Sequence, residues 1–136
     1  MTKNEIMDRL NKRSPFNKHN GVTVTDIGKG TSVVEAELND HTSNPFGKAH
    51  GGLMFTMCDV AAGVAATGGI SAGVTQSASM YYLRPGIGRG LRAEGKVLKA
   101  GRTVSNVETN VFDETGTLIA RGEFEFFHTR DKLPDM

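Results

Sequence analysis

Between Ala49 and Leu83 the chain carries one formally charged residue, Asp59. No other feature restricts the fold so strongly. The first part of this stretch, from Gly51 to about Thr67, reads as a helix that Gly68-Gly69 stops. Leu53, Met57, Val60 and Val64 recur at i, i+4, i+7 and i+11 and form one apolar stripe. Phe55, Cys58, Ala61 and Ala65 extend the apolar surface beyond that stripe. A helix that is apolar on more than one face does not lie on a protein surface; a curved sheet must wrap it. Gly51–Ile70 is not a membrane span. Alanine is its most frequent apolar residue, it holds four glycines besides Gly51, and a central Asp opposes insertion by about 2.5–3.5 kcal/mol.

The rest of the chain supplies the wrapping. Alternating runs predict strands over Val22–Ile27 and Thr31–Leu38 before the helix. After it they predict strands over Thr75–Leu83, Gly90–Ala100, Thr103–Phe112 and Leu118–Phe127. Asp113-Glu-Thr-Gly116 marks a hairpin, and Arg84-Pro85-Gly86 a turn. Asn39–Ala49 is a loop rich in turn residues. Strands in meander order pair antiparallel, and the apolar helix covers their sheet. A short amphipathic helix is predicted over Lys3–Lys12, closed by Ser14-Pro15, and a frayed tail over Arg130–Met136. The expectation is an α+β chain of one domain, residues 1–136, with its core over about 21–128.

Composition narrows the function. With 38% apolar and 23% charged residues the chain folds, and its net charge of +1 sets up no field toward nucleic acid or an acidic membrane. The single Cys58 forms no internal disulfide, and four scattered histidines give no metal-ligand spacing. Met1–Leu10 lacks the apolar core of a signal peptide, so the expected location is the cytoplasm.

Two features carry chemistry. Asp59 sits mid-helix among Phe55, Thr56, Ala62 and Gly63, with no cation on the same helix. It either faces solvent or caps a backbone group, or it is a general base, since an unpaired buried carboxylate costs several kcal/mol. The second feature is Asn44-Pro-Phe-Gly-Lys-Ala-His50-Gly51-Gly52, which leads directly into the helix. A helix start exposes unpaired N–H groups at the positive end of the dipole, and glycine lets a substrate oxygen come close. The plainer alternative is a terminal turn with flexible glycines. Asp59 lies nine residues after His50, about 13 Å along one helix. One chain does not bring both onto a single carbonyl, whereas antiparallel helices from two subunits do. The spacing predicts a site shared across a two-fold dimer.

Asn44, His50-Gly51-Gly52, Asp59, Ser77 and Tyr82-Leu-Arg-Pro-Gly86 together resemble the PaaI-type acyl-CoA thioesterases of the hot-dog fold. The similarity runs from about Gly21 to Phe127 and includes Gly101-Arg102-Thr103. It implies an antiparallel sheet around the central helix, a homodimer that often pairs into a homotetramer, and hydrolysis of acyl- or aryl-CoA. Neither metal nor cofactor is implied, CoA being part of the substrate. By the resemblance Asp59 activates water or attacks the thioester. Gly51 N–H, with the Asn44 side chain, polarises the carbonyl. His50 orients the Asn44 loop, and Ser77 lies near the attacking water. Gly52, Phe55, Met80, Tyr81 and Pro85 line the substrate site. Arg84, Gly86, Lys99, Gly101 and Arg102 form a rim for the CoA phosphates. One departure is Gly63, where some relatives carry a hydroxyl one turn after the carboxylate. Two rival expectations are a non-catalytic acyl-CoA-binding dimer and a hydroxyacyl-thioester dehydratase.

Overall fold

The structure, a computed structural model, describes residues 1–132. Two short helices lead the chain, α1 (Lys3–Lys12) and α2 (Pro15–His19). Strands β1 (Val22–Gly28) and β2 (Thr31–Glu37) precede the long helix α3 (Gly51–Thr67). Strands β3 (Ser71–Tyr82), β4 (Gly90–Lys99), β5 (Val104–Asp113) and β6 (Leu118–Lys132) follow. All six strands form one antiparallel sheet in the order β1-β2-β4-β5-β6-β3, and α3 packs against every one of them. This is the hot-dog architecture.

The inner face follows from strand alternation. Val34 and Ala36 of β2, Leu91 and Ala93 of β4, Val107 and Val111 of β5, and Ala120 and Phe124 of β6 are buried. Against them α3 sets Met57, Cys58, Ala61, Ala62 and Ala65. Small residues let the helix come very close. A Cβ on Gly95 of β4 would lie 2.7 Å from the Ala61 carbonyl oxygen and 2.7 Å from Ser32 Oγ. Ser32 itself donates to that carbonyl at 2.6 Å, tying β2 to the middle of α3. Gly68 ends the helix in the left-handed region (φ 68°), and its N–H bonds the Val64 carbonyl at 2.8 Å.

The structure departs from the expected meander in one respect. The pairs β1–β2, β4–β5 and β5–β6 follow it, whereas β3 pairs with β6 at the far edge. Residues 83–89 are therefore a crossover, not a hairpin turn. Gly86 sits against Ala49, whose N–H donates to the Gly86 carbonyl at 2.8 Å, so the segment is held by the loop before α3 and cannot fold back on β3. This crossover also covers Ile119, so that Ile119 is buried although it alternates with the core-facing Ala120. The second helix, α2, was not expected, because Ser14-Pro15 reads as a stop. Proline at the first helical position also starts a helix. The tail expected to fray is strand as far as Lys132; residues 133–136 of that tail lie outside the described residues.

The tight Gly95 contact generates a stability prediction. Gly95→Val overfills the helix–sheet junction and should destabilise the protein by about 1–3 kcal/mol. In urea the midpoint falls while the slope stays unchanged.

Candidate active site

The helix start is built by local hydrogen bonds. The Asn44 side-chain oxygen accepts from Phe46 N–H at 2.9 Å and Lys48 N–H at 3.0 Å. Asn44 N–H donates to the Lys48 carbonyl at 2.7 Å, and Gly47, at φ 74°, closes the turn. The carboxamide oxygen is thus committed to the loop, and the NH2 remains as a donor. His50 N–H is fixed to the Thr42 carbonyl at 2.9 Å. His50 caps α3: its Nδ1 accepts Gly52 N–H at 2.8 Å, and its carbonyl accepts Leu53 N–H at 3.0 Å and Met54 N–H at 3.3 Å. That leaves Gly51 N–H as the first-turn amide with no acceptor among the described residues. Tyr82 covers the other side, its hydroxyl donating to the Gly51 carbonyl at 3.1 Å. Partial burial pushes the Tyr82 hydroxyl above the ordinary tyrosine value.

Asp59 is half-buried on α3 and forms no ion pair among the described residues. Thr75 of β3 donates to its Oδ1 at 2.5 Å. The sequence reading missed this threonine. It lay inside a predicted strand, but which strand residue faces Asp59 depends on the packing of β3 on α3. Ser77, the strand hydroxyl singled out from sequence, is exposed and lies opposite Glu125. The register shifts between Thr75 and Ser77, with Gln76 as the extra residue bonding Glu125 Oε2 at 3.1 Å. The glycine at position 63 has a packing reason: a Cβ there would lie 3.1 Å from the Phe126 ring.

Beside Asp59, Cys58 is fully buried on the core side of α3. Burial pushes its thiol up to about 11; a Thr109 hydrogen bond acts in the opposite sense, and the Asp59 charge raises it further.

Of the remaining expected site residues, Gly52 is exposed but its N–H is held by His50. Phe55 is partly exposed, its ring 5.5 Å from that of Phe124 at 59°. Met80 is half-buried against the core, whereas Tyr81 and Pro85 are exposed and Gly86 is buried. The guanidinium of Arg84 donates to the Leu118 carbonyl at 2.7 Å, near the Tyr82 end of the sheet. Lys99, Gly101 and Arg102 sit at the β4–β5 turn, next to the strand row Val104–Phe127–Val74. A single chain therefore places Arg84 with Gly51 at one end, and Lys99–Arg102 with Asp59 and Thr75 at the other.

A sequence model of the Thioesterase superfamily matches residues 46–120, more than half of the chain. The chain belongs to the thioesterase superfamily. Its relatives agree. Human acyl-coenzyme A thioesterase 13 is 27% identical over 123 residues, covering 87% of this chain and 88% of that protein. A Saccharolobus solfataricus protein, provisionally named as an esterase, is 31% identical over 130 residues, covering 94% of this chain and 93% of its own. Among solved structures, the E. coli PaaI protein superposes with TM-score 0.88 over 96% of this chain and 95% of its own, at 18% identity, which bears on the fold. A Streptococcus mutans protein solved with acetyl-CoA bound is 30% identical, with TM-score 0.75 over 82% of this chain and 91% of its own. This thioesterase is a thioester hydrolase. Its matched stretch contains Gly51, Asp59 and the crossover, while Asn44 lies just before it.

Two predictions follow from this geometry. A hydrogen bond to a charged group is worth about 1.5–3 kcal/mol, so Thr75→Val should lower kcat of the thioesterase about 10–100-fold by releasing Asp59. Thr75→Ser, which keeps the hydroxyl, should restore most of it. Separately, a thiol with a value of about 11 is about one part in a thousand thiolate at pH 8. The native protein should titrate almost no thiol with a disulfide reagent at pH 8, and one equivalent per chain in guanidinium chloride.

Proposed function

We propose that this thioesterase hydrolyses acyl-CoA to a free carboxylic acid and CoA, at two sites shared between the subunits of a homodimer. The acyl-CoA substrate class comes from the likeness to acyl-coenzyme A thioesterase 13 and to the acetyl-CoA-bound structure. The observation that carries the mechanism is the amide at the start of α3 that is left open among the described residues. His50 engages the amide that follows it, so Gly51 N–H alone points its dipole outward. An oxygen that gains negative charge during reaction is stabilised there, and the free NH2 of Asn44 adds a second donor.

The carboxylate comes from the other subunit. Asp59 and Gly51 are eight residues apart on one helix, about 12 Å. Strand β3 keeps them apart as well, since Tyr82 holds Gly51 while Thr75, seven residues earlier, holds Asp59. Yet β3 is a twelve-residue edge strand with Val74 56% and Tyr81 61% exposed. An edge of that length is a template for a second strand. Two copies of β3 paired antiparallel set the Tyr82 end of one beside the Thr75 end of the other. Gly51 of one subunit then meets Asp59 of the partner subunit. The same pairing brings Arg84 of one chain toward Lys99–Arg102 of the other, assembling the phosphate rim.

In the reaction the thioester carbonyl oxygen accepts from Gly51 N–H and the Asn44 NH2. Asp59 either takes a proton from the attacking water or attacks the carbonyl itself. With Asp59 as base, the water oxygen bonds the carbonyl carbon, the C–S bond breaks, and the proton held by Asp59 passes to the departing CoA sulfur. With Asp59 as nucleophile, its oxygen bonds the carbonyl carbon as CoA leaves as thiolate; water then cleaves the acyl-Asp59 anhydride, releasing the acid, restoring the carboxylate and supplying the proton that CoA takes up.

The test is complementation. Asp59→Asn removes the base and should abolish nearly all thiol release from acyl-CoA while leaving binding intact. Asn44→Asp keeps the oxygen that closes the loop but removes the donor, and should cost on the order of 10²–10³ in kcat. Mixed in equal amounts and allowed to exchange subunits, the two inactive variants should regain about a quarter of wild-type activity, because half of the dimers then hold one intact site of two. No recovery between variants that demonstrably form mixed dimers would place the site within one subunit. Tight acyl-CoA binding by the wild type without thiol release would make the protein a binder instead.

A further inference from the structure

A cavity of about 190 Å³ has Asp59 on its wall. Its lining is apolar along α3, where Val60 and Val64 follow Asp59, and across the sheet, where Val24 and Phe126 close it. The opposite wall is the N-terminal pair of helices, through Leu10 of α1 and Asn17 of α2. Gly63 and Gly73 make room for the Phe126 ring, which a Cβ at either position would meet. The helical wall is firmly anchored. Asn11 bonds both backbone groups of Val24, donating from Nδ2 to the carbonyl at 2.9 Å and accepting N–H on Oδ1 at 2.8 Å. Lys3 adds an ion pair with Asp26 at 2.8 Å.

The chemistry of the reaction says what must enter this space. The carbonyl carbon has to reach Asp59, and CoA approaches from the solvent side. The acyl group therefore needs an apolar pocket that begins at the carboxylate, and this cavity begins there. Its size sets a limit. An apolar cavity of about 150 Å³ holds one benzene molecule, so this one takes about six carbons or a single ring. Leu10, Asn17 and Val24 all lie outside residues 46–120, the stretch that carries the family match.

We propose that α1 and α2 form the acyl-length gauge of this thioesterase, restricting it to acyl groups of about six carbons or one ring. The inference rests on the acyl-CoA reading above. Asn17 is the best position to test, because its side chain makes no hydrogen bond among the described residues and replacing it breaks none. Thr67 and Ser14, by contrast, bond the Gly63 carbonyl at 2.7 Å and the Leu10 carbonyl at 3.1 Å.

The experiment measures kcat/KM of the wild type, Asn17→Phe and Leu10→Ala on straight-chain acyl-CoAs from acetyl to dodecanoyl. The wild type should fall steeply beyond hexanoyl. Asn17→Phe fills the cavity and should lower the hexanoyl-to-acetyl ratio at least tenfold, since one methylene in a pocket is worth about 10–200-fold. Leu10→Ala enlarges it and should move the fall-off two or more carbons longer. Opposite shifts of the profile exclude general damage, which lowers every substrate together. If Leu10→Ala does not fold, the Asn17→Phe ratio decides alone. Wild-type turnover with an unchanged profile in the variants would overturn the gauge and leave the thioesterase reading standing. No turnover of any acyl-CoA by the wild type would overturn both.

Discussion

Helix α3 sits on the sheet closer than ordinary side chains permit. The Ala61 carbonyl lies against Gly95 on β4, and the Ser32 hydroxyl reaches across to the same carbonyl. This approach shapes the rest of the molecule. It brings all six strands into contact with one helix, and most of the surface of α3 is spent on the sheet. It also sets how near Asp59 comes to β3, where the Thr75 hydroxyl meets the carboxylate. Larger residues at this junction would lift the helix and part that hydrogen bond.

In the proposed mechanism the two ends of α3 divide stability and chemistry between them. At the C-terminus Gly68 satisfies a helix carbonyl and ends the helix. At the N-terminus the cap is incomplete. His50 and its carbonyl satisfy three amides and leave Gly51. A fully capped start would be more stable and chemically inert, since an amide already bonded within the protein offers nothing to a substrate. The loop before it is held rigidly from both sides, by the Asn44 carboxamide oxygen and by the Gly86 crossover. Rigidity matters because a donor stabilises developing charge best when it needs no reorganisation.

The proposed division of the site between subunits also bears on edge strand β3. A long edge with exposed valine and tyrosine is a liability in a lone chain. Under the two-fold pairing proposed above, the same edge completes the site. The exposed row and the incomplete chemistry then share one remedy.

Much of this was legible along the chain. The helix over Gly51–Thr67, the Asp113–Gly116 hairpin and the isolation of Asp59 follow from local periodicity, turn residues and charge, all of which act between near neighbours. The nine-residue offset between His50 and Asp59 already set the two halves of the proposed site apart, because a helix has a fixed rise. Tertiary structure decided what depends on contacts between distant segments. The move of β3 to the far edge rests on Gly86 meeting Ala49, thirty-seven positions away. The choice of Thr75 over Ser77 rests on a one-residue bulge, which reverses the face of every side chain beyond it. The helix α2, and the wall it makes with α1, depend on β1 and Asn11 holding the N-terminus in place. Periodicity records which face of an element is apolar; it carries no information about which other element will cover that face, and that pairing placed Thr75, Asn17 and the crossover where they are.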